Sequence, residues 1–261
     1  MNSYYYRPYQ GYGGIGTGAS FGVANYNGLL VGYVQKMHDL TAHVSYTFSK
    51  ALGDINASGI QVAYSSSGAF QNSNNPLGDY GKPDYDRPDV FVYSLVYDLP
   101  FFNATSNYLE KALLGGWNFT SYGVVESGFA QTPTYNSGLA TRPNVLGPIS
   151  RNHGTSGKVS EHQQPVYNAS SFSAPSWGYF GTAEVGSLRA PKEVAFHMAT
   201  EKAFAIREWA TVKLGAQAFN VFNHPNVLGL NATWAPGSTT FATATSYGDP
   251  RQMQFYTKIT F

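Results

Sequence analysis

Seven segments of the chain alternate apolar and polar side chains with a period of two. The cleanest sets Leu40, Ala42, Val44, Tyr46 and Phe48 against Thr41, His43, Ser45, Thr47 and Ser49. The last sets Met253, Phe255, Thr257, Ile259 and Phe261 against Gln252, Gln254, Tyr256, Lys258 and Thr260. Leu29, Val31 and Tyr33 alternate with Gly28, Gly32 and Val34, and His38-Asp39 then predicts a two-residue hairpin turn into the Leu40 run. Shorter or looser runs cover Phe91 to Leu99, Trp117 to Val125, Val194 to Ala199 and Val212 to Ala218. Such a period is the mark of a strand with one apolar and one polar face. A slip of phase near Phe219–Phe222 predicts a bulge. Asn107 to Leu114, followed by Gly115-Gly116, predicts one short helical turn.

The connections between these strands run short, long, moderate, long, short, long. The long ones, near residues 53–87, 131–190 and 223–249, are rich in Ser, Asn, Gly and Pro and far exceed an ordinary loop of about 4–6 residues. All three fall at one end of an antiparallel array. Short turns at one end and long loops at the other are the pattern of an outer-membrane barrel, whose strands put an apolar face to lipid and a polar face to water. A tilted spanning strand needs roughly 9–11 residues, and the terminal run has that length. The expected fold is therefore all-β: an antiparallel transmembrane β-barrel segment of about seven strands belonging to a larger barrel, with long extracellular loops. Seven strands do not close a barrel, and an open edge in lipid leaves backbone groups unpaired. The expectation is that residues 1–261 are the C-terminal part of one barrel domain, with further strands upstream.

Composition agrees. Only 12% of residues are charged and the net charge is +1, which excludes a broad basic surface for nucleic acid. Aromatics reach 16%, with 20 Tyr and 17 Phe, as aromatic girdles and polar loops require. Mean hydropathy is −0.26 and there is no long apolar run to serve as a transmembrane helix. The absence of cysteine excludes disulfides and thiolate chemistry. The opening MNSYYYRPYQGYGG has neither a charged n-region nor an apolar h-region, so it does not read as a signal peptide. An exported protein needs one, which again points to a longer chain.

Ordered motifs sharpen this reading. Arg7-Pro8-Tyr9 with Gly11-Tyr12-Gly13 is similar to an RPYP loop, Asn25-Tyr26-Asn27-Gly28-Leu29 to NYNAL, and Ser45-Tyr46-Thr47-Phe48-Ser49-Lys50 to SYTWSK. Asp84-Tyr85-Asp86-Arg87 resembles SDFDVRH, though Pro88-Asp89 departs from it. Leu114-Gly115-Gly116-Trp117 matches LLGGW, Ser127-Gly128 opens a loosened SGRPFT, and Phe180-Gly181 with Ser187-Leu188-Arg189-Ala190-Pro191 is similar to FG…SLRGPG. Phe219 to Asn226 is close to FNLFNHPNF, and Pro250 to Phe255 matches PRQIQF. Taken in order, these resemble the C-terminal portion of TonB-dependent outer-membrane receptors of the Oar-like branch, whose full-length members begin with a carboxypeptidase-regulatory-like domain. The resemblance implies a roughly 22-stranded barrel around an N-terminal plug. It also implies energised uptake of an external ligand without chemistry of the barrel's own. The expected partners are outer-membrane lipid, the outer-membrane assembly machinery, an unidentified extracellular ligand and, through the missing upstream region, the TonB complex. Met253, Phe255, Ile259 and Phe261 look like the membrane assembly signal. The expected location is the cell outer membrane.

Loop aromatics are the candidate ligand contacts: Tyr64, Tyr80, Tyr135, Tyr167, Trp177, Tyr179 and Trp234 offer faces for stacking on sugars or peptides, against the plainer reading that they pack loops together. Trp117, Tyr97, Tyr46 and Trp209 read as interface girdle. Asp79, Asp84, Asp86 and Asp89 lack the glycine and terminal Glu of a calcium loop, so turn formation is the reading there. His38, His43, His153, His162, His197 and His224 show no zinc spacing; His43 and His197 lie on polar strand faces, and His224 in a structural turn. No cofactor or metal is expected. Two rivals remain: a surface binding or adhesion barrel without energised transport, and a secreted glycan hydrolase, which needs two carboxylates about 5–10 Å apart in a cleft.

Overall fold

The computed structural model describes residues 9, 11–12, 22–54, 70–72, 74–135, 141–152, 164–207 and 210–261. Tyr64, Trp209, His153, His162 and the Arg7-Pro8 pair lie outside them. In chain order the strands are β1 (Ala24–Met37), β2 (Leu40–Gly53), β3 (Asp89–Asp98), β4 (Trp117–Glu126), β5 (Ala130–Gln131), β6 (Asn144–Val145), β7 (Phe172–Ser173), β8 (Leu188–Arg189), β9 (Glu193–Arg207), β10 (Ala210–Phe219), β11 (Val227–Leu230), β12 (Ala244–Tyr247) and β13 (Gln252–Thr260). One short helix, α1 (Tyr108–Leu114), sits between β3 and β4.

Seven long strands form one antiparallel sheet in the order β1-β2-β3-β4-β9-β10-β13. These are the seven segments that alternate in the sequence. The first hairpin has the expected two-residue turn, with Met37 opposite Leu40. Register carries the alternation across the whole sheet. Met37, Leu40, Tyr97, Phe119, Thr200, Ala216 and Phe255 form one row on the apolar face. Thr41, Val96, Thr120, Ala199, Gln217 and Gln254 form a row on the polar face. A one-residue slip anywhere would exchange the two faces, so a consistent row over so many strands is a strong statement about the pairing.

Among the described residues no second layer covers the apolar face. The other sheets are two-stranded, and among the described residues the packed hydrophobic cluster draws nothing from the long strands, whose only buried apolar residues are Ala51 and Ala210 at strand ends. Leu29 is 62% exposed and Phe255 76%. A stacked sandwich would bury these rows about 10 Å beneath a second sheet. Aromatic side chains cover two glycines that would otherwise weaken the strands. Tyr93 and Phe196, with ring centroids 5.9 Å apart, close over Gly123 on the apolar face. The Tyr256 ring lies over Gly215 on the polar face.

Charge follows the faces. Asn118 Nδ2 donates to Asp98 at 2.7 Å, Lys213 pairs with Glu201 at 2.7 Å, and the Tyr256 hydroxyl donates to Glu201 at 2.8 Å, all on the polar side. Lys202 departs from this, as Lys50 and Asp89 do at the loop end of the sheet. It stands on the apolar face opposite Trp117 and Leu214, and its ammonium folds back onto the Gly115 carbonyl over the Trp117 and Phe204 rings. The alternation in β9 breaks at Glu201-Lys202 in the sequence, and the strand nonetheless runs on to Arg207. The expected slip near Phe219–Phe222 is the end of β10; the register shift lies instead at Ala210/Thr211.

The sheet is open. Among the described residues β1 and β13 each pair with one neighbour only, so the seven strands are an arc of barrel wall.

Candidate functional site

Three long connections leave the same end of the sheet: 54–88, 127–192 and 220–251. The second reads as irregular in the sequence, yet it folds. Strand β5 pairs with β8 and β6 with β7, while β11 pairs with β12 in the third connection. Together the second and third build the hydrophobic core of the chain, from Val166, Tyr167, Phe172, Leu188, Val227, Leu230, Trp234 and Phe241. Phe172 meets Phe241 edge-on at 5.3 Å. Backbone bonds join the two connections: Thr134 N–H to the Ala232 carbonyl and Trp234 N–H to the Thr134 carbonyl, both 2.8 Å. Burial against this core pushes the Tyr247 hydroxyl pKa up, keeping it neutral.

The first connection is held to the second by ion pairs. Asp86, 2% exposed, pairs with Arg189 and accepts the Ala51 N–H at 2.8 Å. Arg189 also donates to the Asp86 and Gly128 carbonyls, both at 2.8 Å. Asp79 pairs with Arg142 at 2.6 Å and accepts the Gln71 N–H at 2.7 Å. Arg87 pairs with Glu126 at 3.2 Å and lies over the Phe129 ring. Asp89 accepts from the Tyr46 and Ser127 hydroxyls. Asp79, Asp86 and Asp89 thus tie loops and strand ends together.

The third connection begins with a turn built by asparagines. Asn220 and Asn223 adopt φ of 47° and 52°, a left-handed conformation that asparagine tolerates better than most residues. The Asn220 amide donates to the His224 and Asp249 carbonyls and accepts the His224 N–H. Asn226 donates to the Val194 carbonyl and accepts the Val194 N–H, the two bonds a neighbouring strand would make. His224 Nδ1 lies 2.9 Å from the Asn226 amide oxygen, so its surroundings are structural.

Two glycines in the motifs answer to close backbone approach. A Cβ on Gly181 would stand 1.9 Å from the Arg142 carbonyl oxygen, and one on Gly128 2.0 Å from that of Ala190. Replacing either by alanine is expected to cost about 1–3 kcal/mol by forcing the loops apart. Gly147→Ala, where nothing lies within 4 Å, is the neutral control. Proteinase K cleavage of the loops measures the difference.

The candidate aromatics separate into two groups. Trp234, 5% exposed, donates its indole N–H to the Ala169 carbonyl at 2.9 Å and meets Tyr135 at 5.5 Å. Tyr167 is buried; its hydroxyl takes the Arg189 N–H and donates to the Arg189 carbonyl. These three pack the loops. Tyr80, Trp177 and Tyr179 are exposed, Trp177 at 86%, with Phe180 next to Tyr179 in sequence. Among the described candidates this second group alone presents exposed rings.

The polar face carries a further cluster. Tyr122 stacks on His197 at 4.4 Å and 13°, and Phe219 meets His197 edge-on at 5.7 Å. With Thr120 and Gln217 they line a recess of about 200 Å³. Sequence places His197 on the polar face, but nothing local reveals that Tyr122 is its cross-strand partner. A second recess of similar volume lies between Tyr26, Thr47, Ser49, Tyr85 and Arg87, beneath the first connection.

Met253, Phe255, Ile259 and Phe261 all stand exposed, the first three opposite Ala218, Ala216 and Val212 on the apolar face. A family model described as an outer membrane beta barrel domain matches residues 1–254. No curated protein and no solved structure matches the chain. With the apolar rows uncovered, the polar rows hydrogen-bonded and the long connections at one end, the chain belongs to the outer membrane beta barrel domain family and resides in the outer membrane.

Proposed function

We propose that this chain supplies wall and external loops to a TonB-dependent receptor of the Oar-like branch, which takes up a nutrient across the outer membrane. The observation that carries the reading is the folded loop body. Loops with their own core, ion pairs and small sheets carry the exposed rings of Tyr80, Trp177 and Tyr179. A preorganised aromatic surface lowers the entropic cost of capturing a ligand. The motifs of the resemblance also fall on the residues that staple this body: Asp86, Gly128, Gly181, Arg189, Asn220 and Asn226. Below it, the polar face with Tyr122 and His197 offers a hydrogen-bonding wall to the descending ligand. In this reading the barrel binds and conducts, and performs no chemistry. Energy arrives through the TonB complex, which contacts the upstream region of the full-length protein.

Uptake of labelled ferric chelates, oligosaccharides and peptides by cells expressing the full-length protein tests this. A probe that enters normal cells but only binds the surface of TonB-deficient cells supports the proposal. Entry unaffected by TonB loss overturns it, and binding without entry in both strains favours the adhesion barrel. For the captured probe, Trp177→Ala with Tyr179→Ala is expected to weaken surface binding about tenfold, the ~1.4 kcal/mol scale of lost aromatic contacts.

A further inference from the structure

Helix α1 closes the β3–β4 connection at the short-turn end, the periplasmic end of a barrel of this kind. Asn107 caps it, accepting the Leu109 and Glu110 N–H groups, and Glu110 reaches back to Asn107 and Thr105. At 100° per residue, Tyr108, Leu109, Ala112 and Leu113 share one arc, while Glu110 and Lys111 lie opposite with Leu114 between them. The apolar arc is uncovered: Tyr108, Leu109 and Leu113 are exposed, as are Phe101 and Phe102 just before the helix. Phe102 holds a φ of 62°, a conformation that bulky residues rarely adopt.

Two side chains of the lipid-facing rows grip the end of this helix. The Trp117 indole donates to the Leu113 carbonyl at 3.1 Å, and the Lys202 ammonium donates to the Gly115 carbonyl. Both project from the apolar face of the sheet. The C-terminal end of α1 is therefore held against the apolar face of the sheet, the face that meets acyl chains.

We propose that α1 and Phe101-Phe102 lie in the headgroup boundary of the periplasmic leaflet, apolar arc toward the acyl chains and Glu110-Lys111 toward water. The occupant of this surface is phospholipid. A short amphipathic segment beside Trp and Lys side chains matches the chemistry of that boundary, where amphipathic rings and long cationic side chains concentrate. The helix then acts as a float that fixes the depth of the β3–β4 edge.

Single cysteines replace Leu109, Lys111, Leu113 or Phe255 in the full-length protein, any cysteine outside these 261 residues being first changed to serine, and the protein is spin-labelled in phosphatidylethanolamine–phosphatidylglycerol vesicles. Collision with oxygen reports lipid contact, and collision with a water-soluble nickel chelate reports water. The expected result is oxygen contact at Leu109→Cys and Leu113→Cys, several-fold above that at Lys111→Cys. Equal access of the nickel chelate at all three helix positions overturns the proposal. So does protection of the two leucine positions from both reagents, which marks a protein partner. Phe255→Cys reports on the barrel wall separately: loss of oxygen contact there sinks the membrane reading itself.

Discussion

Leu95→Arg is expected to cost about 2–4 kcal/mol of barrel stability, and Ser94→Arg little. The two positions are neighbours in the chain but point to opposite faces. Leu95 lies mid-strand between Ala42 and Ser121 on the apolar side. A guanidinium there must reach water through acyl chains, and charge near the bilayer midplane carries a penalty of about that size. Ser94 stands between His43 and Tyr122 on the polar side, where a charge keeps its hydration. The readout is the urea midpoint of heat-modifiable migration for the full-length protein refolded into vesicles. Equal losses from both substitutions would mean that neither face meets lipid, and the assignment of the rows would fall.

Arg189→Ala is expected to release the loops while leaving the barrel folded. Asp86 is closed off from solvent and depends on this guanidinium, so removing Arg189 strands a buried carboxylate. Breaking a buried pair in this way costs about 3–5 kcal/mol, most of it the penalty of the orphaned charge. The same change deletes the bond to the Asp86 carbonyl, which joins the first connection to the second, and the bond to the Gly128 carbonyl within the second. Proteinase K added to intact cells should then cut the loops, with heat-modifiable migration preserved. Asp86→Leu combined with Arg189→Met should recover part of the resistance, because an apolar pair leaves no charge unpaired. If Arg189→Ala is as resistant as the wild type, the pair is not a staple.

The strands were legible in the residues for a simple reason. A face that meets one environment along its whole length imposes a strict period of two, and Leu40 to Ser49 and Gln252 to Phe261 obey it. Where a side chain solves a local problem the period fails. Lys202 looks misplaced in β9 until the Gly115 carbonyl and Trp117 ring are seen beside it. The candidate site was less legible. Trp177 and Trp234 are the same residue type in similar Ser/Gly/Pro-rich loops, yet one is bare and the other closes a core. Strands of two residues, such as Leu188–Arg189, are too short to show any period.

Alternation along the chain determined the seven strands, the two faces, the first hairpin turn and the segregation of long connections to one end, because each depends on residues adjacent in sequence. Tertiary structure alone decided that the long connections fold into a body with its own core, and which aromatics that body buries. It alone brought Asp86 to Arg189, 103 residues apart, and Tyr122 to His197 across β4 and β9. Contacts between distant segments arise from register and loop packing, and neither leaves a mark in the local order of polar and apolar side chains.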